Sequence, residues 1–161
     1  ETGTTFVENA IIKARHAASH AGLPAIADDS GLEVDALGGA PGVRSARFAG
    51  PAADDAANNR LLLERLAGRP AAQRSARFRC VMVFLADAAS PAPVIREATW
   101  EGRIAESPMG DNGFGYDPLF LPAGEAGTSA ELPPETKNRL SHRGQALRAL
   151  IETLTGPPPT R

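Results

Sequence analysis

The residues best suited to chemistry are the carboxylates of Asp28-Asp29-Ser30-Gly31, which follow a short strand candidate, Ala25-Ile26-Ala27. Adjacent carboxylates at a strand's end offer hard oxygen ligands to a divalent cation and a proton acceptor for water. The same residue types also build turns, and the stretch taken alone favours the turn. Lys13 brings a cation on the polar side of a helix, where the default is a solvated surface. Glu1-Thr2-Gly3 adds another carboxylate that says little unaided. Phe114-Gly115-Tyr116-Asp117-Pro118 sets two aromatics in a glycine-rich loop. Such a loop suits a stacking platform for a base and, equally, a turn with its anchor. Ser141-His142-Arg143 combines a helix cap with two donors in the first turn, where they can meet a ligand; a cap with no further role is the alternative.

Two other features carry less. Gly38-Gly39-Ala40-Pro41-Gly42 lacks the Gly-Lys-Ser/Thr ending of a phosphate-binding P-loop and reads as structural. Cys80 stands inside an apolar run and reads as packing rather than as a nucleophile.

The elements that must position these groups follow from pattern. Thr5 with Glu8 forms a capping-box signature, and a helix runs to about Ala21, where Gly22 ends it. Val7, Ala10, Ile11, Ala14, Ala18 and Ala21 fall on one face, with Asn9, Lys13, His16 and His20 on the polar face. Leu32, Val34 and Ala36 alternate with Glu33 and Asp35 as a second, half-exposed strand. A second helix spans Asp54 or Asp55 to Leu66 and stops at Gly68 and Pro70. Ser75 to Ala86 begins by alternating and becomes continuously apolar, the pattern of a strand that ends buried on both faces. Val94 to Ile104 alternates and is expected to pair antiparallel with it. A loop from Met109 to Pro118 precedes a last helix whose buried stripe is Leu147, Leu150, Ile151 and Leu154.

Composition bounds the function. A chain of 161 residues with 42% hydrophobic and 5% aromatic residues builds one domain with an aliphatic, alanine-rich core. That domain is expected over 1–156, with 157–161 as a disordered tail. The net charge of −2 argues against a general nucleic-acid binder but not against a nucleotide site, which needs only a few local cations. No apolar run reaches the roughly 20 residues of a membrane helix, and no signal segment opens the chain. The single cysteine fits a reducing compartment. The reading is a soluble, cytoplasmic protein of α/β class with a mixed sheet.

Taken in order, these motifs resemble the inosine/xanthosine triphosphate pyrophosphatase family. The resemblance rests on Glu1-Thr2-Gly3, Glu8-Asn9-Ala10, Lys13-Ala14, Ala27-Asp28-Asp29-Ser30-Gly31-Leu32, Gly38 to Gly42 and Ser45-Ala46-Arg47. It continues through Gly113-Phe114-Gly115-Tyr116-Asp117-Pro118, Lys137 and Ser141-His142-Arg143-Gly144-Gln145-Ala146-Leu147. It implies an elongated central mixed sheet flanked by helices, two lobes with a nucleotide cleft between them, and a homodimer. It implies hydrolysis of the triphosphates of inosine, deoxyinosine and xanthosine to monophosphate and pyrophosphate, with magnesium (Mg2+) as cofactor.

By the same resemblance Glu1 and Asp29 hold the metal, and Asp29 takes the proton of the attacking water with Asp28 in support. Lys13 and Ser30 face the phosphates. Phe114 stacks on the base, and Gly115, Tyr116 and Asp117 close around the nucleoside. Lys137, His142 and Arg143 read the purine's keto edge. The family's opening strand and its Thr/Ser-Gly/Asn-Asn-x-x-Lys phosphate loop have no counterpart at or after Glu1, so a longer natural chain is expected. A pyrophosphatase of the septum-inhibitor type, acting on pyrimidine or modified nucleotides, is the enzymatic alternative, and Ser141-His142-Arg143 speaks against it. A nucleotide-binding module without catalysis is the other.

Overall fold

The computed structural model describes residues 2–156; Glu1 and the tail expected at 157–161 lie outside them. Helix α1 (Phe6–Ala21) begins at Thr5, whose side chain accepts from the Glu8 N–H while the Glu8 carboxylate caps the Thr5 N–H. Gly22 closes it in the left-handed conformation. Four strands follow, β1 (Ala25–Val34), β2 (Ser75–Leu85), β3 (Val94–Ile104) and β4 (Phe120–Pro122). They lie in the order β1-β2-β3-β4, and every pairing among them is antiparallel. The expected antiparallel partnership of β2 with β3 is present. The mixed character expected of the sheet has no parallel pair among the described strands.

Side-chain alternation assigns the two faces. Val81, Val83 and Leu85 of β2 pack on Phe6, Ala10 and Ala14 of α1. Cys80 and Met82, on the other face, pack on Ala146 and Leu150 of helix α4 (His142–Thr155). The continuous apolar run of β2 is thus buried by a helix on each side. Further along, Phe78, Trp100, Phe120 and Leu119 form the main core with Leu62 of helix α2 (Asp55–Arg65) and with Leu66 at its C-cap. A short helix α3 (Pro134–Leu140), which the hydrophobic pattern did not reveal, leads into α4.

Three sequence expectations are corrected. Asp28-Asp29-Ser30-Gly31 is no turn; it lies inside β1, paired residue by residue with Met82, Val81, Cys80 and Arg79. Pairing with a strongly apolar central strand overrides the turn preference of those residues. The strand expected around Ala36 ends at Val34, and 35–37 form a turn of 3-10 helix. On α4 only Leu150 of the expected stripe is buried; Leu147, Ile151 and Leu154 are exposed.

One polar group pins the core's edge. Arg74, just before β2, is 4% exposed and donates to the carbonyls of Ile104, Leu66 and Ala105 at 2.8, 2.9 and 2.8 Å. It links α2 to the end of β3. Replacing it as Arg74→Met keeps bulk but strands those acceptors. The expected loss is about 3 kcal/mol, or roughly 10 °C in Tm. Calorimetry of the variant checks this, and a Tm within about 2 °C of the parent would contradict it.

Candidate active site

The pleat of β1 decides how its acidic pair can be used. Consecutive residues in a strand point to opposite faces, so Asp28 and Asp29 are neighbours in sequence and opposed in space. Asp29, 6% exposed, turns to α1. Its Oδ1 accepts from Lys13 Nζ at 2.7 Å and its Oδ2 from Asn9 Nδ2 at 3.2 Å. Asn9 and Lys13 stand four residues apart and share one helix row. Asn9 was placed on the polar surface by periodicity, yet it is fully buried, its Oδ1 accepting from the Gly3 N–H at 2.9 Å. A buried amide needs such partners, and the carboxylate beside it supplies one.

Asp28 turns to the other face. Its Oδ2 accepts from Ser30 Oγ at 2.9 Å and from Arg143 Nε at 3.0 Å. Cys80 Sγ lies 3.9 Å from the same oxygen. Burial pushes that thiol up to about 11, so it stays protonated and serves packing, as expected from its place in the run. Gly31 lets a loop close on the strand. A Cβ there would sit 2.5 Å from the Gly42 carbonyl and 2.7 Å from Ser45 Oγ.

On this second face opens a cleft of about 320 Å³, lined by Ser30, Phe114 to Asp117, Lys137, His142 and Arg143 among others. Phe114 is 63% exposed, with Lys137 Nζ 5.2 Å and Arg143 Cζ 5.5 Å from its ring centroid. Both distances lie within the range of cation–π attraction. Lys137 is paired with Asp117, whose Oδ1 accepts from Ser129 Oγ at 2.7 Å and whose Oδ2 accepts from the Phe114 N–H at 2.9 Å. Tyr116 is buried in the main core, and its hydroxyl donates to the Ser45 carbonyl at 2.7 Å. Burial raises its phenol, which stays protonated. Tyr116 and Asp117 therefore hold the loop, while Phe114 is its exposed tip.

His142 is the cleft's most unusual group. Ser141 caps α4 by accepting from the Gly144 N–H at 3.1 Å, which fixes His142 in the first turn. Its ring stacks on Phe78, with centroids 4.8 Å apart and planes at 11°. Its Nδ1 is buried and has no hydrogen-bond partner among the described residues. Burial first, then the neighbouring Arg143, lowers its pKa to about 4, so the ring is neutral near pH 7 and can donate or accept.

Of the residues expected at the site, Ser30, Phe114, Gly115, Tyr116, Asp117, Lys137, His142 and Arg143 line one cleft. Lys13 and Asp29 meet each other on the opposite face of β1. Glu1, expected as a metal ligand, lies outside the described residues, among which no group of three or more His, Cys, Asp or Glu side chains is arranged to hold an ion. Asn9 and Ser45, which stand in the motifs of the resemblance without a role of their own, support the site together with Asp55, Asn58, Asn59 and Ser129. Of these, Asn58 and Asn59 carry a local signal, an Asn-Asn pair in a helix otherwise built of Ala, Leu and charged residues.

Because His142 is buried and neutral, the unfolded chain binds the extra proton between pH 6.5 and about 4. Its contribution is complete above the unfolded pKa and is lost as pH falls through that window. Between about pH 7 and about pH 5 the protein should lose about 2 kcal/mol that a His142→Asn variant does not lose. Urea unfolding of both proteins at the two pH values checks this; parallel losses would show that the histidine titrates normally.

A protein named dITP/XTP pyrophosphatase from Methylococcus capsulatus is 64% identical over 159 residues, covering 97% of this chain and 79% of the relative. One of the same name from Escherichia coli O157:H7 is 56% identical over 154 residues, covering 96% of this chain and 78% of the relative. The solved structure of a HAM1 protein from Coxiella burnetii superposes with a TM-score of 0.92 at 54% identity, covering 98% of this chain and 80% of that one. No helix among the described residues is long and apolar enough to cross a membrane. With residues 1–153 matching the family model, this chain belongs to the Ham1 family.

Proposed function

We propose that this protein hydrolyses the triphosphates of deaminated purines, inosine, deoxyinosine and xanthosine, to the nucleoside monophosphate and pyrophosphate. The observation that carries the proposal is the cleft itself. An exposed aromatic ring stands 5.2 and 5.5 Å from two cations, in the cleft that also holds a buried histidine nitrogen with no partner among the described residues. A purine can stack on Phe114 and present its edge to Lys137, His142 and Arg143. Charged donors there favour a keto oxygen and leave an adenine amino group facing a donor, an unpaired arrangement costing about 1–3 kcal/mol. The names borne by relatives at 56–64% identity support the same substrate class.

The phosphates then pass from the cleft across β1, the terminal strand of the described sheet, toward Asp29 and Lys13. Ser30, which lines the cleft and donates to Asp28, would face them on the way. Lys13 offsets phosphate charge, and Asp29 accepts the proton of the attacking water. Asn9, anchored by the Gly3 N–H, fixes the orientation of that carboxylate. Asp28 supports from the far face by holding Arg143 at the base.

The donors suit magnesium. Asp29 retains lone pairs beyond those used by Lys13 and Asn9, and magnesium is commonly held by one or two carboxylates together with substrate phosphates. Asp29, with Glu1 as the second carboxylate carried over from the family, would hold it. When bound, the ion neutralises charge on the phosphates and acidifies water. A homodimer and a cytoplasmic setting complete the reading, supported respectively by the resemblance and by the lone cysteine.

Measured pyrophosphate release should place inosine and xanthosine triphosphates well ahead of those of adenosine and guanosine. Release of single phosphates, or equal turnover of adenosine triphosphate, would overturn the assignment; no magnesium-dependent release at all would favour a binding module. Asp29→Asn keeps the shape but removes the proton acceptor, so turnover should fall about 100-fold or more in a folded protein. Near-normal turnover would place the base elsewhere. Arg143→Ala should lower the specificity constant for inosine triphosphate about 10- to 150-fold, and that for adenosine triphosphate far less. An unchanged ratio of the two constants would remove base reading from Arg143.

A further inference from the structure

Helix α2 holds Gly115, in the lining of the cleft, with two side chains that neither the proposed chemistry nor the base reading uses. Asp55 and Asn59 stand four residues apart, on one face of the helix. Asp55 Oδ2 accepts from the Gly115 N–H at 2.6 Å, and Asn59 Nδ2 donates to the Gly115 carbonyl at 2.8 Å. Both backbone polar groups of a single glycine are therefore held by one helix.

That glycine directly follows Phe114 and sits at φ +60°, in the left-handed region where a side chain is strained. The other end of the tip is held from within the loop. The Phe114 N–H donates to Asp117 Oδ2 at 2.9 Å, and its carbonyl accepts from the Asp117 N–H at 3.2 Å. The Phe114 ring is 63% exposed, with the Lys137 and Arg143 cations 5.2 and 5.5 Å from its centroid. Its direction therefore depends on the backbone that carries it as well as on those cations.

The post behind the clamp is rigid. Asn58, next in sequence to Asn59, is 3% exposed, accepts from the Ala49 N–H at 2.8 Å and donates to the Ala46 carbonyl at 3.1 Å. Leu62 of the same helix is fully buried in the main core.

We propose that Asp55 and Asn59 are positioning residues that aim the Phe114 ring through the Gly115 peptide and so set the affinity for the nucleobase. The proposal rests on the reading of Phe114 as the base platform. Preorganising the ring lowers the ordering cost of binding. It acts on ground state and transition state alike, so the effect belongs in KM and not in kcat.

The test is steady-state kinetics on inosine triphosphate with melting curves, for Asn59→Ala, Asp55→Ala, Asp55→Asn, Phe114→Ala and the Asn59→Ala/Phe114→Ala double variant. Asn59→Ala and Asp55→Ala should each raise KM about 5-fold with kcat within about 2-fold of the parent. Asp55→Asn keeps an oxygen for the Gly115 N–H and should stay near the parent KM. In the double variant, Asn59→Ala should add nothing to the rise caused by Phe114→Ala, because it acts through that ring. Additive rises, or a lowered Tm with KM unchanged, would reduce both residues to structural supports and overturn the proposal. If Phe114→Ala raises KM while the α2 variants do not, the clamp fails and the platform stands. If Phe114→Ala leaves KM unchanged, the platform reading fails first and the clamp with it.

Discussion

Strand pleating governs this site more than any single contact does. Because successive side chains of β1 leave on opposite faces, its two adjacent carboxylates are committed to different tasks. Asp29 belongs to α1, where Lys13 and Asn9 engage it, and Asp28 belongs to α4, where Arg143 does. One strand thereby presents one carboxylate to α1 and its sequence neighbour to α4. The arrangement holds only while β1 stays in register with β2. A slip of one residue would exchange the two faces, and the fully buried Val81, Val83 and Cys80 resist that exchange.

Electrostatics in the cleft follow a single pattern. Each cation that flanks Phe114 is tied to a carboxylate: Lys137 to Asp117, and Arg143 to Asp28. The Arg143–Asp28 pair is open to solvent and its net stabilisation is modest, whereas Asp117 of the other pair is buried. Their effect is directional. They aim donors across the mouth of the cleft, while the neutral, buried His142 offers a nitrogen of adaptable polarity behind them.

Helix α2 keeps two stretches of chain in place, one of them partly 3-10 helix. Asp55, Asn58 and Asn59 are indifferent helix formers, yet their side chains hold the 42–50 segment and the 113–117 loop. Tyr116 and Ser45 join those two stretches directly. The cleft side of the molecule is thus tied to α2, and the Asp29 face of β1 to α1.

The sequence by itself determined what local physics controls. The capping box at Thr5 and Glu8, the stop at Gly22, the doubly buried run of β2 and the cap at Ser141 are read within a few residues of chain and are present as expected. The ordered motifs also sufficed to point to the family. Tertiary structure alone decided the rest, because the deciding partners are remote in sequence. Asp28 to Gly31 reads locally as a turn and becomes strand only because Arg79 to Met82, about fifty residues on, pair with it. Asn9 reads as surface and is buried because Asp29 receives its amide. The burial of Leu150 without Leu147, Ile151 or Leu154 depends on where α4 meets the sheet, which periodicity cannot locate. A hydrogen bond such as that from Asn59 to Gly115, across 56 positions, leaves no mark on either local pattern.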